Sequence, residues 1–446
     1  MLTEPGTRPD LTDAGHHRPD HVPAEIRQQR AAVRELRHDP DDRPFIVIWE
    51  VTRACQLACA HCRADAQQRF HPDQLTLEHG KALLDDIAQF GKPTPIVILT
   101  GGDPFERTDL EDLVAHGTGL GLSVALSPSV TANFTPERLA SLREAGGKAV
   151  SLSMDGCRAE THDAFRGFQG TYDKTLAAAR ITTDAGFRLQ INSTVTRRTV
   201  TELPDLMVQV KGLGAHLWSL FFLVPTGRGQ ALQALTAEEN EDVLQWAHDV
   251  SGYIAIKTTE AQAYRRVAMQ RATNDAPPHG ELYDRLMART LELVSAEDLV
   301  NRRPRPPLAT NSGRGFVFID HVGDVYPSGF LPYRCGNVKD ESFRGIYRNS
   351  PIMLSLRRPD AFHGKCGVCP FNQVCGGSRS HAFAVTRDML ASDPTCSYVP
   401  PRWAAEHPDE DPITGARVKP VPLDLLDVAP AGAPAAEDNL RAAADH

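Results

Sequence analysis

The chain reads as an α/β protein: a partial (β/α)6 barrel of the TIM type, followed by a small cysteine-rich α+β region. Three observations carry that reading. Short apolar runs alternate with helical patterns six times between Pro44 and Val224, the serial order that builds a parallel sheet. Candidate reactive residues follow the apolar runs, at what would be strand C-terminal ends, where barrels gather their chemistry. Beyond Arg303 to Pro307 the alternation stops, and Gly315 to Tyr326, apolar runs around a Gly-Asp turn, suggests a β-hairpin ahead of a second set of cysteines.

In order along the chain, residues 1–42 are rich in Pro, Asp, Arg and His and carry only Ile26, Val33 and Leu36 as periodic apolar positions. They are expected to be a disordered leader with one short helix at most, and His16 and His17 to be solvated. Strands are expected near 45–51, 95–100, 121–127, 149–154, 187–195 and 216–224, within a barrel over 43–235. Helix starts are marked by Thr76 ahead of Leu83, Leu84 and Ile87, and by Thr135 followed by Pro136 at the first helical position. Residues 236–309 read as a helical bridge: Thr236-Ala-Glu-Glu239 is a capping-box pattern opening a helix through Val250, and Thr273 to His279, with two prolines, reads as a loop. An auxiliary domain is expected over 310–400. The Pro-, Ala- and acid-rich stretch 401–446 is expected to be a disordered tail.

With 446 residues and a formal net charge of -9, the chain lacks the basic footprint of a nucleic-acid or anionic-membrane binder. Arg302, Arg303 and Arg305 stand among prolines, as a loop would. No apolar run approaches the roughly 18 residues of a membrane span, the most apolar, Leu217 to Pro225, being of strand length. A cytoplasmic protein acting on a small molecule or peptide is expected. Nine cysteines, clustered and odd in number, fit metal binding better than a disulfide framework.

Cys55, Cys59 and Cys62 form a C-x3-C-x2-C run directly after the first expected strand. A closed zinc site or a fully ligated 4Fe-4S cluster takes four protein ligands, so three either recruit a remote partner or leave one metal position free. His61 keeps zinc open as an alternative. Thr100-Gly-Gly-Asp-Pro-Phe105 follows the second strand; Gly101 and Gly102 permit close backbone approach to a ligand, and alone such a turn is also an ordinary strand-to-helix connection. Val224-Pro-Thr-Gly-Arg-Gly229 follows the sixth strand, and its backbone is a candidate adenine contact. There Arg228 is a candidate carboxylate clamp, or simply an exposed arginine in a glycine-rich turn. Further on, Cys366, Cys369, Cys375 and Cys396 supply four ligands, the count for a cluster or for zinc, which spacing cannot separate. Cys157 reads as a free, partly buried thiol.

Trp49 to Ala66, with its three cysteines, resembles the cluster motif of the radical S-adenosylmethionine (radical SAM) enzymes. That resemblance implies a partial barrel, a 4Fe-4S cluster held by Cys55, Cys59 and Cys62, and S-adenosylmethionine bound to the fourth iron. It also implies the reaction: one electron cleaves the sulfonium and yields a 5'-deoxyadenosyl radical, which takes a hydrogen atom from the substrate. Gly101, Gly102, Asp103 and Pro104 match the motif that receives the methionine amino group. Ser151-Leu-Ser-Met-Asp-Gly156 is similar to another family ending, which implies cofactor contacts for Ser153 and Asp155, and Asn192 corresponds to a polar position near the ribose or carboxylate. Asn192 is also readable as a satisfied strand residue.

The stretches Gly364 to Arg379 and Asp393 to Pro400 resemble the auxiliary-cluster region called SPASM, especially in the branch acting on tetrapyrroles in alternative haem and haem d1 synthesis. Trp49 to Cys55 and Gly336 to Val338 are similar to the same branch. The likeness spans roughly 44–400. It implies two 4Fe-4S clusters, one catalytic and one auxiliary, and a ferredoxin or flavodoxin as electron donor. The substrate implied is a tetrapyrrole or, as in the maturases that share SPASM, a peptide; a non-catalytic iron-sulfur or zinc protein is the reading from another class. A full SPASM domain uses seven cysteines for two auxiliary clusters, whereas here there are five, with Ser328 and Ser378 at two of the missing positions and Cys335 either spare, the preferred reading, or a ligand through rearrangement.

Overall fold

The computed structural model describes residues 32–60, 62–63, 66–408 and 410. Six parallel strands run in sequence order, β1 (Ile46–Thr52), β2 (Ile96–Gly101), β3 (Ser123–Leu126), β4 (Ala149–Ser153), β5 (Arg188–Val195) and β6 (Leu217–Phe222). Each is followed by helix: α1 (Leu77–Ala88), α2 (Leu110–Gly119), α3 (Pro136–Glu144), α4 (Ala159–Arg166) with α5 (Thr171–Asp184), α6 (Leu203–Gly212) and α7 (Ala237–Asp249). This is the expected partial (β/α)6 barrel. Strand alternation builds its two layers. In β1, Val47, Trp49 and Val51 are fully buried and pack in one core with Leu83, Leu84 and Ile87 of α1, while Ile46 and Ile48 are half-buried on the other face.

The start signals act as anticipated. Thr76 caps α1 by accepting from the His79 amide at 3.3 Å, Thr135 caps α3 with Pro136 behind it, and Thr236 and Glu239 close a full capping box at α7.

Several features depart from the sequence reading. Residues 236–309 contribute a seventh parallel strand, β7 (Ile256–Thr259), paired to β6, with α8 (Ala263–Ala272) and α9 (Glu281–Leu293) after it. In the following region β8 (Asn311–Ser312), β9 (Gly315–Ile319), β10 (Asp324–Tyr326) and β11 (Gly336–Asn337) include the expected hairpin, β9 with β10. This hairpin does not make a sheet of its own. β9 pairs in parallel with β1, Ile46 opposite Phe316 and Trp49 opposite Ile319, so one sheet runs β11-β10-β9-β1 through to β7. Residues 32–42 of the expected leader lie against the body: Arg34 bridges to Leu308, and Tyr347 donates to the Pro40 carbonyl. The first turn of the expected tail is helix, Pro401–Glu406. The expectations for 1–31 and for 411–446 lie outside the described residues.

Candidate active site and auxiliary metal centre

The cysteine run lies on the loop leaving β1, and three neighbouring loops close on it. Gly102 donates to the Thr52 carbonyl at 2.8 Å and Asp103 to that of Ala54 at 2.7 Å, so the loop after β2 is stitched to the one carrying Cys55. A Cβ at Gly101 would stand 2.3 Å from the Thr52 oxygen, and one at Gly102 would stand 2.4 Å from that of Ala54. Only glycine allows that approach. Asp103 is fully buried and presents no free carboxylate. Its oxygens accept from the amides of Phe105 (3.0 Å) and Ser129 (3.2 Å) and from the Thr131 hydroxyl (2.7 Å). Ser129, after β3, donates to the Gly102 carbonyl at 3.1 Å and lies 3.8 Å from the Cys55 sulfur. Pro104 opens the one-turn helix that Asp103 caps. Burial pushes the Cys55 thiol up to about 11, so a thiolate there needs a compensating cation, which a bound metal supplies.

Cys59 is approached by Arg166, at the end of α4, whose Nη1 lies 3.7 Å from the sulfur while Nη2 is 2.7 Å from Asp155. Asp155 also accepts from the Thr194 amide at 2.7 Å. It therefore reaches the cysteine loop through Arg166. Ser153 sits at the last position of β4, in register with Asn192, which accepts from Gln190 at 2.7 Å. The loop after β6 completes the rim, the Arg228 amide donating to the Cys62 carbonyl at 3.3 Å. Arg228 is half-buried rather than exposed, and its Nε and Nη2 have no partner among the described residues. Two unspent donors beside the cysteine loop suit an anionic ligand group such as a carboxylate.

Arg63 follows Cys62 and anchors the loop on its far side. It donates to Glu50 at 2.5 Å, Glu50 also meets His321 at 3.0 Å, and the Arg63 guanidinium stacks 4.4 Å over Phe318. Burial alone would raise the Glu50 carboxyl, but Arg63 and His321 hold it below the usual carboxylate range.

In the C-terminal region Cys366, Cys369, Cys375 and Cys396 line one small pocket with Arg266, Lys365 and Tyr398. Gly376 and Gly377 both take left-handed conformations (φ 66° and 64°), turning the chain so that the Gly377 amide faces Cys375 Sγ at 3.4 Å. Cys366 Sγ receives the Asp393 amide at 3.3 Å and lies 3.6 Å from Arg379. Cys335 is elsewhere, half-buried with its sulfur 3.5 Å from the Tyr333 carbonyl. Cys157 is half-buried as expected, and burial drives its thiol up to about 12. Among the described residues no three Cys, His, Asp or Glu side chains are close enough to hold a single metal ion.

The two serines at cysteine positions converge. Ser328 donates to Glu260 Oε1 at 3.0 Å and Ser378 to Oε2 at 2.7 Å, while Glu260 itself sits just after β7 with a left-handed φ of 56°. Sequence reasoning missed Arg166, Ser129 and Glu260, since nothing local in the chain announces a partner found only in the fold.

A family model described as the Radical SAM superfamily matches residues 49–207. The AdoMet-dependent heme synthase of Oleidesulfovibrio alaskensis is 39% identical over 360 residues, covering 80% of this chain and 87% of the relative. The chain belongs to the radical SAM superfamily. It is therefore an enzyme that uses S-adenosylmethionine and a 4Fe-4S cluster to generate a 5'-deoxyadenosyl radical and abstract a hydrogen atom. The pre-heme d1 synthase of Dinoroseobacter shibae is 31% identical, covering 86% of this chain and 93% of that protein. Among solved structures, Streptococcus suis SuiB bound to S-adenosylmethionine aligns with a TM-score of 0.56 at 14% identity, over 80% of this chain and 78% of that one. This last likeness bears on the fold alone. No helix among the described residues is long and apolar enough to cross a membrane.

Proposed function

We propose that this enzyme oxidatively modifies a tetrapyrrole. The observation that carries the substrate class is full-length likeness: three relatives named AdoMet-dependent heme synthase match at 36–39% identity over 80% of the chain, against 29% for the mycofactocin maturase of Mycobacterium tuberculosis. Cys55, Cys59 and Cys62 would hold the catalytic cluster, with the Gly101–Pro104 loop and Arg228 as the cofactor's neighbours. When bound, the cluster and S-adenosylmethionine supply the radical that takes a hydrogen atom. Hydrogen removal from a propionate side chain, with loss of CO2, gives a vinyl group and leaves one electron to be carried away.

We infer a second 4Fe-4S cluster on Cys366, Cys369, Cys375 and Cys396, whose chemistry would be to accept that electron. Four thiols around one pocket match the ligand count of a fully ligated 4Fe-4S cluster. Amides aimed at Cys366 and Cys375, with Arg266 and Arg379 beside the sulfurs, fit a buried anionic cluster. Arg265 ties the barrel wall to this region. It lines the barrel lumen and donates to the Val374 and Cys375 carbonyls at 2.8 and 3.2 Å. Ser328 and Ser378, bound to Glu260, leave the region short of cysteines for a further cluster.

The test is anaerobic turnover of the reconstituted enzyme with Fe-coproporphyrin III, S-adenosylmethionine and a reductant, dithionite or a reduced ferredoxin or flavodoxin. Mass spectrometry should find a porphyrin that has lost CO2 and two hydrogens for each side chain converted, with a matching amount of 5'-deoxyadenosine. Deoxyadenosine with unaltered porphyrin would count against the substrate class and turn attention to a peptide. Iron should stand near eight per chain, and Cys375→Ala should lower it to about four. Stoichiometric zinc in place of iron would reject the second cluster.

A further inference from the structure

The barrel lumen holds a cavity of ≈ 310 Å³ to which each of the seven parallel strands contributes its first residue, from Ile46 in β1 to Ile256 in β7. It therefore opens at the strand N-terminal ends, opposite the cysteine loop. Its walls are apolar, with Ile46, Ile98, Ile256 and Phe316 among them. Besides Arg265, which donates to the Thr310, Val374 and Cys375 carbonyls, five cations line it, Arg34, Lys148, Arg188, Lys257 and Arg305. Among the described residues none of the five is in an ion pair with a carboxylate. Among the described residues Glu260 is the one acidic side chain lining the cavity, and its two oxygens are taken up by Ser328 and Ser378.

Such a cluster repels itself. Arg305 is held below its usual range by burial first and then by Arg34, Arg188 and Arg302, and Lys257 is lowered to about 8 by burial and by Arg305. Lys257 is packed deep within the protein, yet half-buried by surface area, because the surface it keeps faces the cavity. An unpaired cation at the depth of Lys257 costs stability unless an anion joins it, whereas Lys148, Arg188 and Arg305 keep exposed surface at the mouth. The combination of apolar walls and a cationic end suits a flat apolar ligand carrying several carboxylates on one edge.

We propose that Arg34, Arg188, Lys257 and Arg305 form an anchor at the N-terminal mouth of the barrel, which grips the substrate carboxylates that do not react. The opposite edge of the ligand is then directed along the same strands toward Ser153, Asn192 and the cysteine loop. The anchor selects a polycarboxylate and sets which side chain meets the radical. This inference rests on the tetrapyrrole reading, and its test separates the two.

Binding of metal-free coproporphyrin III to the anaerobically reconstituted full chain is followed through its Soret band, with the tetramethyl ester as control. The variants are the double substitution Arg188→Gln with Arg305→Gln, at two exposed positions, and Lys257→Gln; iron content and circular dichroism verify folding. Wild type should bind the acid at least tenfold more tightly than the ester, with the difference shrinking as salt rises, and each lost charge should weaken acid binding about tenfold. Equal binding by wild type and variants overturns the anchor and leaves the tetrapyrrole reading standing. Should wild type ignore the porphyrin but be thermally stabilised by benzenehexacarboxylate, and the double variant not, the anchor is a polyanion site and the tetrapyrrole reading falls. Absence of both effects overturns the two together.

Discussion

A guanidinium 3.7 Å from a cysteine sulfur changes the electrostatics of anything that sulfur ligates. Arg166 carries a positive charge to Cys59 and is itself steadied by Asp155, so it favours the more negative, reduced state of a cluster bound there. Arg166→Gln should keep the iron but make the cluster harder to reduce. At a Coulomb cost of about 1 to 3 kcal/mol, the potential should fall by about 40 to 130 mV for one electron. A redox titration followed by electron paramagnetic resonance reads this, and an unchanged potential would remove Arg166 from the tuning role. Glu260 offers a second test, because it takes up a left-handed backbone conformation while satisfying two buried hydroxyls. Glu260→Ala keeps the strain and orphans Ser328 and Ser378, at about 1–3 kcal/mol per unsatisfied group; Glu260→Gln should cost less. Anaerobic urea unfolding decides between them. These residues also mark how far the chain alone could be read. Cysteine spacing announces itself in eight residues, whereas Arg166 meets Cys59 across 107 positions and Glu260 meets Ser378 across 118. The same distance hid the role of Asp103, legible as part of a motif but not as the residue that ties three loops together, by its carboxylate to Phe105, Ser129 and Thr131 and by its amide to Ala54.

At the scale of the element, the end of β4 and the α4 helix are joined by a histidine that must stay neutral. His162 is fully buried, accepts from the Asp155 amide at 3.2 Å through Nδ1, and lies 3.4 Å from the Thr175 hydroxyl. Burial, and then Arg166, depress its pKa to about 4. The unfolded chain binds this proton near pH 6.5 and the folded chain does not until about 4, so acidification favours unfolding. Stability should be lost progressively between those values, by about 3 kcal/mol at most. Urea titrations across that range should show a slope that His162→Gln flattens; equal slopes would dismiss the assignment. Elements also differ in how plainly the sequence declares them. The six barrel strands carry apolar runs and several of their helices carry caps, so both were legible. β7 was not, since Ile-Lys-Thr-Thr has one apolar residue in four and becomes a strand only because β6 offers it an edge. The pairing of β9 with β1 was hidden for the same reason: partners 270 residues apart leave no periodicity that joins them.

That pairing governs the molecule as a whole. β1 leads at its C-terminal end into the loop of Cys55, Cys59 and Cys62, the proposed cluster ligands, and its outer edge is covered by β9. Val317, Phe318 and Ile319 of β9 are almost completely buried, and His321, just beyond, reaches Glu50 and through it the Arg63 that holds the cysteine loop. The two regions that sequence composition separates are thus one cooperative sheet. Removing everything after residue 309 would strip three buried apolar side chains, at about 1.5–3 kcal/mol each, from a fold whose entire margin is about 5–15 kcal/mol. It would also bare the edge of β1, an invitation to intermolecular pairing. A chain ending at residue 309 should therefore aggregate or lose cooperative unfolding, and should fail to retain iron on Cys55, Cys59 and Cys62 although all three cysteines remain. Cys375→Ala in the full chain is the matched control: it removes a ligand of the proposed second cluster but leaves β9 on β1, so the catalytic iron should survive. Size-exclusion chromatography with iron analysis on both proteins tests the argument. A monomeric 1–309 chain that unfolds cooperatively and holds about four irons would show that the barrel stands without its auxiliary strand.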